Sequence, residues 1–356
     1  YDECAAVLEE QLGVPPQEAT AELCRAIKVG RAPALSPHAA GDSPGALPTP
    51  GDDLQPALGI PATDPRPPIE PPAFLEEDQP RERPLFVARE RELARLDGFL
   101  DLALESQGRV AFVTGEAGSG KTSLVEAFAR RALEDHPELL AANGNCNAYT
   151  GIGDPYLPFR EILELLTGDV ETRWAAGAMS GDHACRLWAA LPFAAQALVE
   201  FGPDLIDTFL PSAPLLERAS TCARLASGTE GATWLQELAE RKPPATQMQS
   251  AQQSHLFEQY TRVLQVLSER GPLLLVMDDL QWADVGSVSL LFHLGRHLAG
   301  SRILIVGAYR PEEVVSGRFA GEGRERHPLA PVVNELQRDF GDIAVDVDRA
   351  ERGEFM

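Results

Sequence analysis

Long apolar runs are missing from this chain of 356 residues: none approaches the roughly 20 consecutive apolar residues needed to cross a bilayer. The first residues also lack the basic flank and apolar stretch of a signal peptide, so no membrane contact is expected and a cytoplasmic location is. Paired cysteines are missing too. Cys4, Cys24, Cys146, Cys185 and Cys222 are odd in number and scattered, with no Cys-x-x-Cys pair and no histidines at zinc-finger spacing, which argues for reduced packing thiols and against a disulfide framework or a zinc site. Basic charge is scarce, with 31 Lys and Arg against 54 Asp and Glu and a net charge of -23. Such a surface repels phosphate backbones, so any DNA contact is expected from a module outside these residues. What remains, 44% hydrophobic residues, is enough to build a core in water.

The chain starts with Tyr1 in an immediately helical pattern and is therefore expected to be a piece of a longer protein. Residues 1–30 read as two short helices: Cys4, Val7, Leu8 and Leu12 share one face, Gly13 suits a C-terminal cap, and Leu23, Cys24 and Ile27 form a second stripe. Two helices this short cannot bury their faces alone, so they are expected to end a larger helical array. Residues 31–82 are rich in proline and poor in large apolar side chains, which predicts a disordered linker, with a ligand for a proline-recognising domain as the rival reading. Residues 83–349 alternate helical and strand patterns, as an α/β domain with a mostly parallel sheet flanked by helices does. Expected strands are Val110–Thr114, Leu139–Asn143, Leu273–Met277 and Ile303–Ala308. A helical insertion is expected over about 160–268, and residues 350–356 open a further region.

Gly115-Glu116-Ala117-Gly118-Ser119-Gly120-Lys121-Thr122 has the spacing of a phosphate-binding loop, and it follows an apolar strand and opens a helix. Glycine lets consecutive backbone N–H groups turn toward phosphate oxygens, and the helix that continues through Ser123 points its positive end at the same anion. In such a P-loop NTPase, Lys121 would reach the β and γ phosphates and the Thr122 hydroxyl would ligate Mg2+.

A second motif, Asp278-Asp279-Leu-Gln-Trp-Ala-Asp284, follows a fully apolar strand. Strand ends of open parallel sheets form ligand crevices, so Asp278 is expected beside the phosphate loop, delivered from a neighbouring strand. Asp278 is placed to hold Mg2+ through its water shell, and Asp279 to orient or deprotonate the attacking water. Asp284 reads as the N-cap of the next helix. Arg310 follows the strand Ile303–Ala308 and has two readings: a contact to the γ-phosphate, or an ion pair with Glu312 or Glu313. No Asn-Lys-x-Asp guanine motif and no Leu-Ser-Gly-Gly-Gln transporter signature is present.

The run Phe86-Val-Ala-Arg-Glu-Arg-Glu-Leu93, the phosphate loop, Asp278 to Asp284, and Gly307-Ala-Tyr-Arg-Pro-Glu312 together resemble the ATPase module of the signal-transduction ATPases with numerous domains. These are AAA-type regulators in large bacterial transcription factors. The resemblance implies ATP and Mg2+ as cofactors, and adenine contacts from Phe86, Val87 and Arg89; Ala88 stands where that family has glycine. The shorter second acid, Asp279 in place of the usual glutamate, fits a regulator. Residues 1–30 look like the last helices of the bacterial transcriptional activator domain, which implies a DNA-binding domain before Tyr1. The expected function is an ATP-binding, slowly hydrolysing switch exchanging ATP and ADP, with self-association left open. A P-loop small-molecule or nucleotide kinase and a nucleotide-binding scaffold without turnover are the alternatives.

Overall fold

Apolar runs become the three central strands of one buried sheet in the computed structural model, which describes residues 71, 72, 75, 89–147, 155–225, 233–240, 250–316, 318–320 and 323–348. The chain divides into two units, Tyr1–Asp64 and Pro65–Met356, and all described residues lie in the second. The expected helical tail 1–30, nearly all of the linker 31–82, Phe86, Val87 and residues 350–356 fall outside the described residues.

Helix α1 (Glu90–Leu104) leads into β1 (Arg109–Thr114), followed by α2 (Lys121–Asp135) and β2 (Leu140–Asn145). Among the described residues, six α-helices intervene before β3: α3 (Leu157–Leu166), α4 (Glu171–Ala175), α5 (Gly181–Phe201), α6 (Ser212–Leu225), α7 (Thr233–Glu240) and α8 (Ser250–Arg270). Then come β3 (Leu273–Asp278), α9 (Val285–Arg296), β4 (Ile303–Tyr309), α10 (Pro311–Ser316), a short antiparallel hairpin of β5 (Arg318–Ala320) and β6 (Gly323–Glu325), α11 (Leu329–Phe340) and β7 (Ala344–Asp346).

The five-stranded sheet has the order β2-β3-β4-β1-β7, with every pairing parallel. Parallel strands covered on both faces need apolar side chains in both directions, which is why β3 reads Leu-Leu-Leu-Val-Met without alternation. Leu96, Phe99 and Leu100 of α1 and Leu124 and Phe128 of α2 pack with Ala111, Val113, Leu274, Val276, Leu304 and Val306 in one core. Val110 faces the other way, toward Gly295 of α9 and its neighbour Leu336 of α11. No helix among the described residues is long and apolar enough to cross a membrane.

The sheet order corrects one expectation. Asp278 does not come from the strand next to the phosphate loop, because β4 lies between β1 and β3. Apolar patterning carries no information on lateral order; the crossovers decide it. The fifth strand, β7, is three residues long and too short to register as a pattern.

The insertion is tied to edge strand β2. His183, in the first turn of α5, pairs its Nε2 with the Ala141 carbonyl at 2.7 Å, and burial lowers its pKa. Arg173 donates to Asn143 Oδ1 at 2.6 Å and to Glu161 Oε2 at 3.1 Å, and Glu161 Oε2 also accepts from the Asn145 backbone N–H at 3.0 Å. Helix α3 crosses β2 so closely that a Cβ on Gly144 would land on the Pro158 carbonyl. Gly144→Ala is therefore expected to destabilise the domain by about 2–3 kcal/mol, from backbone displacement in a packed core. A urea titration reads this; an unchanged midpoint would show that α3 does not bear on Gly144.

Candidate functional site

Strand β1 ends at Thr114, and the chain makes the turn to α2 through two left-handed glycines, Gly118 at φ 78° and Gly120 at φ 90°. Nothing crowds a Cβ at Gly118, so the backbone angle, not space, demands glycine there. Glu116, Ala117 and Gly118 are exposed at the crest, and α2 carries no acid in its first turn to neutralise its positive end. Lys121 is folded into the loop, 6% exposed, with Nζ donating to the carbonyls of Glu116 at 2.6 Å and Gly115 at 2.9 Å. Burial lowers its pKa, and Arg310 adds repulsion; the carboxylates of Asp279, Asp348 and Asp278 oppose both. A cationic group held in such surroundings gains from an incoming anion.

The Thr122 hydroxyl donates to Asp278 Oδ2 at 2.7 Å, across 156 residues of sequence. Asp278 Oδ1 accepts the Asp279 N–H at 2.8 Å, so both oxygens of the first acid are oriented. A hydroxyl and a carboxylate at hydrogen-bond distance are two hard oxygen donors. That donor set fits Mg2+, which takes one or two protein ligands and completes its shell with water and phosphate oxygens. Asp279 is 40% exposed and sits in the left-handed region at φ 55°. Its Oδ1 lies 3.8 Å from Arg310 Nη2, while Arg310 Nη1 donates to Glu313 Oε1 at 2.7 Å. Of the two glutamates considered for Arg310, Glu313 is its partner in this structure.

Arg89 lies at the start of α1, and its guanidinium spans two carbonyls: Nη2 donates to Ser119 at 2.7 Å and Nη1 to Val347 at 2.9 Å. It thereby straps the loop to the segment after β7. From that segment Asp348 Oδ2 accepts the Glu116 N–H at 2.8 Å, and Val347 N–H donates to the Thr114 carbonyl at 2.8 Å. Asp284 caps α9 as expected, accepting from Ser287 N–H at 2.9 Å, bonded also to the Ser287 hydroxyl, and accepting the Tyr156 N–H at 3.2 Å.

The structure thus gathers the loop Gly115–Ser123, Asp278, Asp279, Arg310 and Arg89 at the carboxyl edge of the sheet. Two participants were not singled out from the sequence. Asp348 follows a strand too short to recognise, and Gln281 lies inside the acidic motif with no sign in the sequence that it is buried.

The sequence model of the AAA ATPase domain family matches residues 85–306. An uncharacterized protein of Rhizobium meliloti (strain 1021) is 25% identical over 225 residues, which are 63% of this chain. The chain spans only 18% of the length of that relative.

Replacing Arg89 tests the strap. Arg89→Ala is expected to cost about 2 kcal/mol of stability, the worth of charge-assisted hydrogen bonds, and Arg89→Lys to recover less than half of it, since a point charge cannot span two carbonyls. Denaturant melts of the three proteins read this, and a lysine variant as stable as the wild type would refute the bridging role.

Proposed function

The chain belongs to the AAA ATPase domain family, and on that premise we propose that residues 83–349 bind ATP with Mg2+ and hydrolyse it slowly, as the switch of a multidomain bacterial transcriptional regulator. The observation that carries the nucleotide reading is the 2.7 Å contact between Thr122 and Asp278, because it brings a loop hydroxyl and a strand-end carboxylate to one point beside a buried lysine.

In this reading the loop amides and the N-terminus of α2 hold the phosphates, Lys121 exchanges its loop carbonyls for phosphate oxygens, and Thr122 and Asp278 hold the cation. The cation, when bound, neutralises charge on the phosphates. Asp279 accepts the proton of the attacking water. Arg310 serves as the reporter of the third phosphate: its pair with Glu313 is part-exposed, so exchanging it for a phosphate oxygen costs little. Such differential contact is what a switch requires, since a ligand biases two states only by binding them unequally. Phe86, Val87 and Arg89 are the proposed adenine side of the site.

The regulator role rests on the resemblance of the motif set and of residues 1–30. The charge of -23 argues against nucleic-acid binding by these residues, so in this reading DNA is contacted through a domain proposed to precede Tyr1.

Titration with a fluorescent ATP analogue in Mg2+ is expected to give saturable binding that Lys121→Ala weakens about a hundredfold, as loss of a buried charge contact to phosphate does. Equal affinity in the two proteins would defeat the nucleotide reading. Phosphate release without any added acceptor separates the switch from a kinase, and tightly held ATP without release would leave a scaffold.

A further inference from the structure

Gln281 is 1% exposed and sits two residues beyond the second acid. Its Nε2 donates to Asp279 Oδ1 at 2.6 Å, and its Oε1 accepts the Arg310 backbone N–H at 3.1 Å. A carboxylate can only accept and a backbone N–H can only donate, so the amide has one permitted orientation. Its main chain is held as well: the Gln281 carbonyl accepts from His327 Nε2 at 2.8 Å, and His327, itself 1% exposed, accepts the Leu329 N–H on Nδ1 at 3.2 Å. Those two bonds define the Nε2–H tautomer of His327.

Around this amide the backbone is in an unusual state. Asp279 is one of four non-glycine residues with positive φ among those described, at φ 55° and ψ 42°, and it starts the 3-10 turn Leu280–Trp282 that carries Gln281 back toward it. The left-handed residue points the following turn inward, and the turn returns an amide to the acid that began it. With Oδ1 occupied by Gln281, no protein hydrogen bond is made to Asp279 Oδ2 among the described residues.

We propose that Gln281 is the positioning residue of the site: it fixes the Asp279 carboxylate so that Oδ2 faces the attacking water, and ties that carboxylate to the strand end that carries Arg310. This rests on the ATPase reading above. In the step it serves, water transfers a proton to Asp279, its oxygen bonds to the γ-phosphorus, and the bond to the β–γ bridging oxygen breaks, leaving ADP and phosphate. The amide gives up no proton. Because the Arg310 N–H and the Asp279 carboxylate share one amide, movement of Arg310 toward a third phosphate pulls on the acid, so nucleotide state and water activation are mechanically joined.

The test compares wild type, Gln281→Leu and Gln281→Glu for phosphate release and for affinity of a fluorescent ATP analogue, with Mg2+ present, across a pH series. Gln281→Leu is expected to lower turnover about tenfold or more, within the range that general-base placement contributes, while affinity changes less than about threefold, because Asp279 does not hold the phosphates. Gln281→Glu carries the distinguishing signature. At about pH 5.5 the introduced carboxyl is still protonated, its pKa raised by the adjacent carboxylate, and can donate to Asp279 while accepting from Arg310. Turnover of this variant relative to wild type should therefore be near normal at that pH and fall about tenfold by about pH 8.5, as two carboxylates come to face each other. The ratio for Gln281→Leu should stay flat over the same range.

Wild-type turnover in Gln281→Leu overturns the proposal. So does a flat ratio for Gln281→Glu, and this arm stands even if the leucine variant fails to fold. A wild-type protein that binds the analogue through Lys121 but releases no phosphate overturns the positioning role and leaves nucleotide binding intact. Binding indifferent to Lys121→Ala removes the reading beneath it.

Discussion

One hydrogen bond, from the Thr122 hydroxyl to Asp278, joins the two halves of the site, and it exists only because strand ends on a shared edge finish level with one another. Thr114 of β1 is in register with Tyr309 of β4, and Met277 of β3 with Gly307 of the same strand. Asp278 therefore stands level with Ala308, one residue from the row in which β1 ends. A register slip of a single residue would turn every side chain of β3 to the opposite face and withdraw the acid from the loop. Because β3 is apolar on both faces, alternation alone does not forbid that slip; the close fit of its Leu, Val and Met side chains in the core does, so the core and the site are enforced by the same packing.

Between those strands β4 does more than fill space. It delivers Arg310 between the loop and the acids, where its charge reaches both Lys121 and Asp279. The loop itself is braced from distant parts of the domain: Arg89 arrives from the first helix and Asp348 from beyond the last strand, and both fasten to main-chain atoms of the loop. A phosphate loop must present its N–H groups in a set geometry, and the bonds to the Ser119 carbonyl and the Glu116 N–H help to hold it. The insertion, by contrast, is anchored to the far edge strand. Its core is joined by such contacts as Tyr260 Oη to the Phe159 carbonyl at 3.0 Å, and its polar ties to β2 involve Arg173 and His183.

Much of the frame was legible in the residues. Strands buried on both faces appear as unbroken apolar runs, and the expected Leu273–Met277 and Ile303–Ala308 each extend by one residue in the structure. The loop was legible because glycine at positions 118 and 120 meets a backbone requirement that few other residues satisfy. Asp284 was legible as a cap because capping is local, its acceptor lying three residues from the amide it serves. The partner of Arg310 was not, since Glu312 and Glu313 are both within reach along the chain and only the orientation of the first turn of α10 selects the second. Gln281 was not either, because a glutamine in a polar motif carries no mark of burial.

By itself the sequence determined that a phosphate loop and a pair of strand-end acids exist, and that an α/β domain carries them, since each depends on periodicity or on the geometry of a few adjacent residues. Tertiary structure alone decided the lateral order of the strands, the interposition of β4, the straps from Arg89 and Asp348, and the amide that binds Asp279 to the next strand. Those are contacts between segments far apart along the chain, and their energy comes from crossovers and close approach that no local pattern encodes.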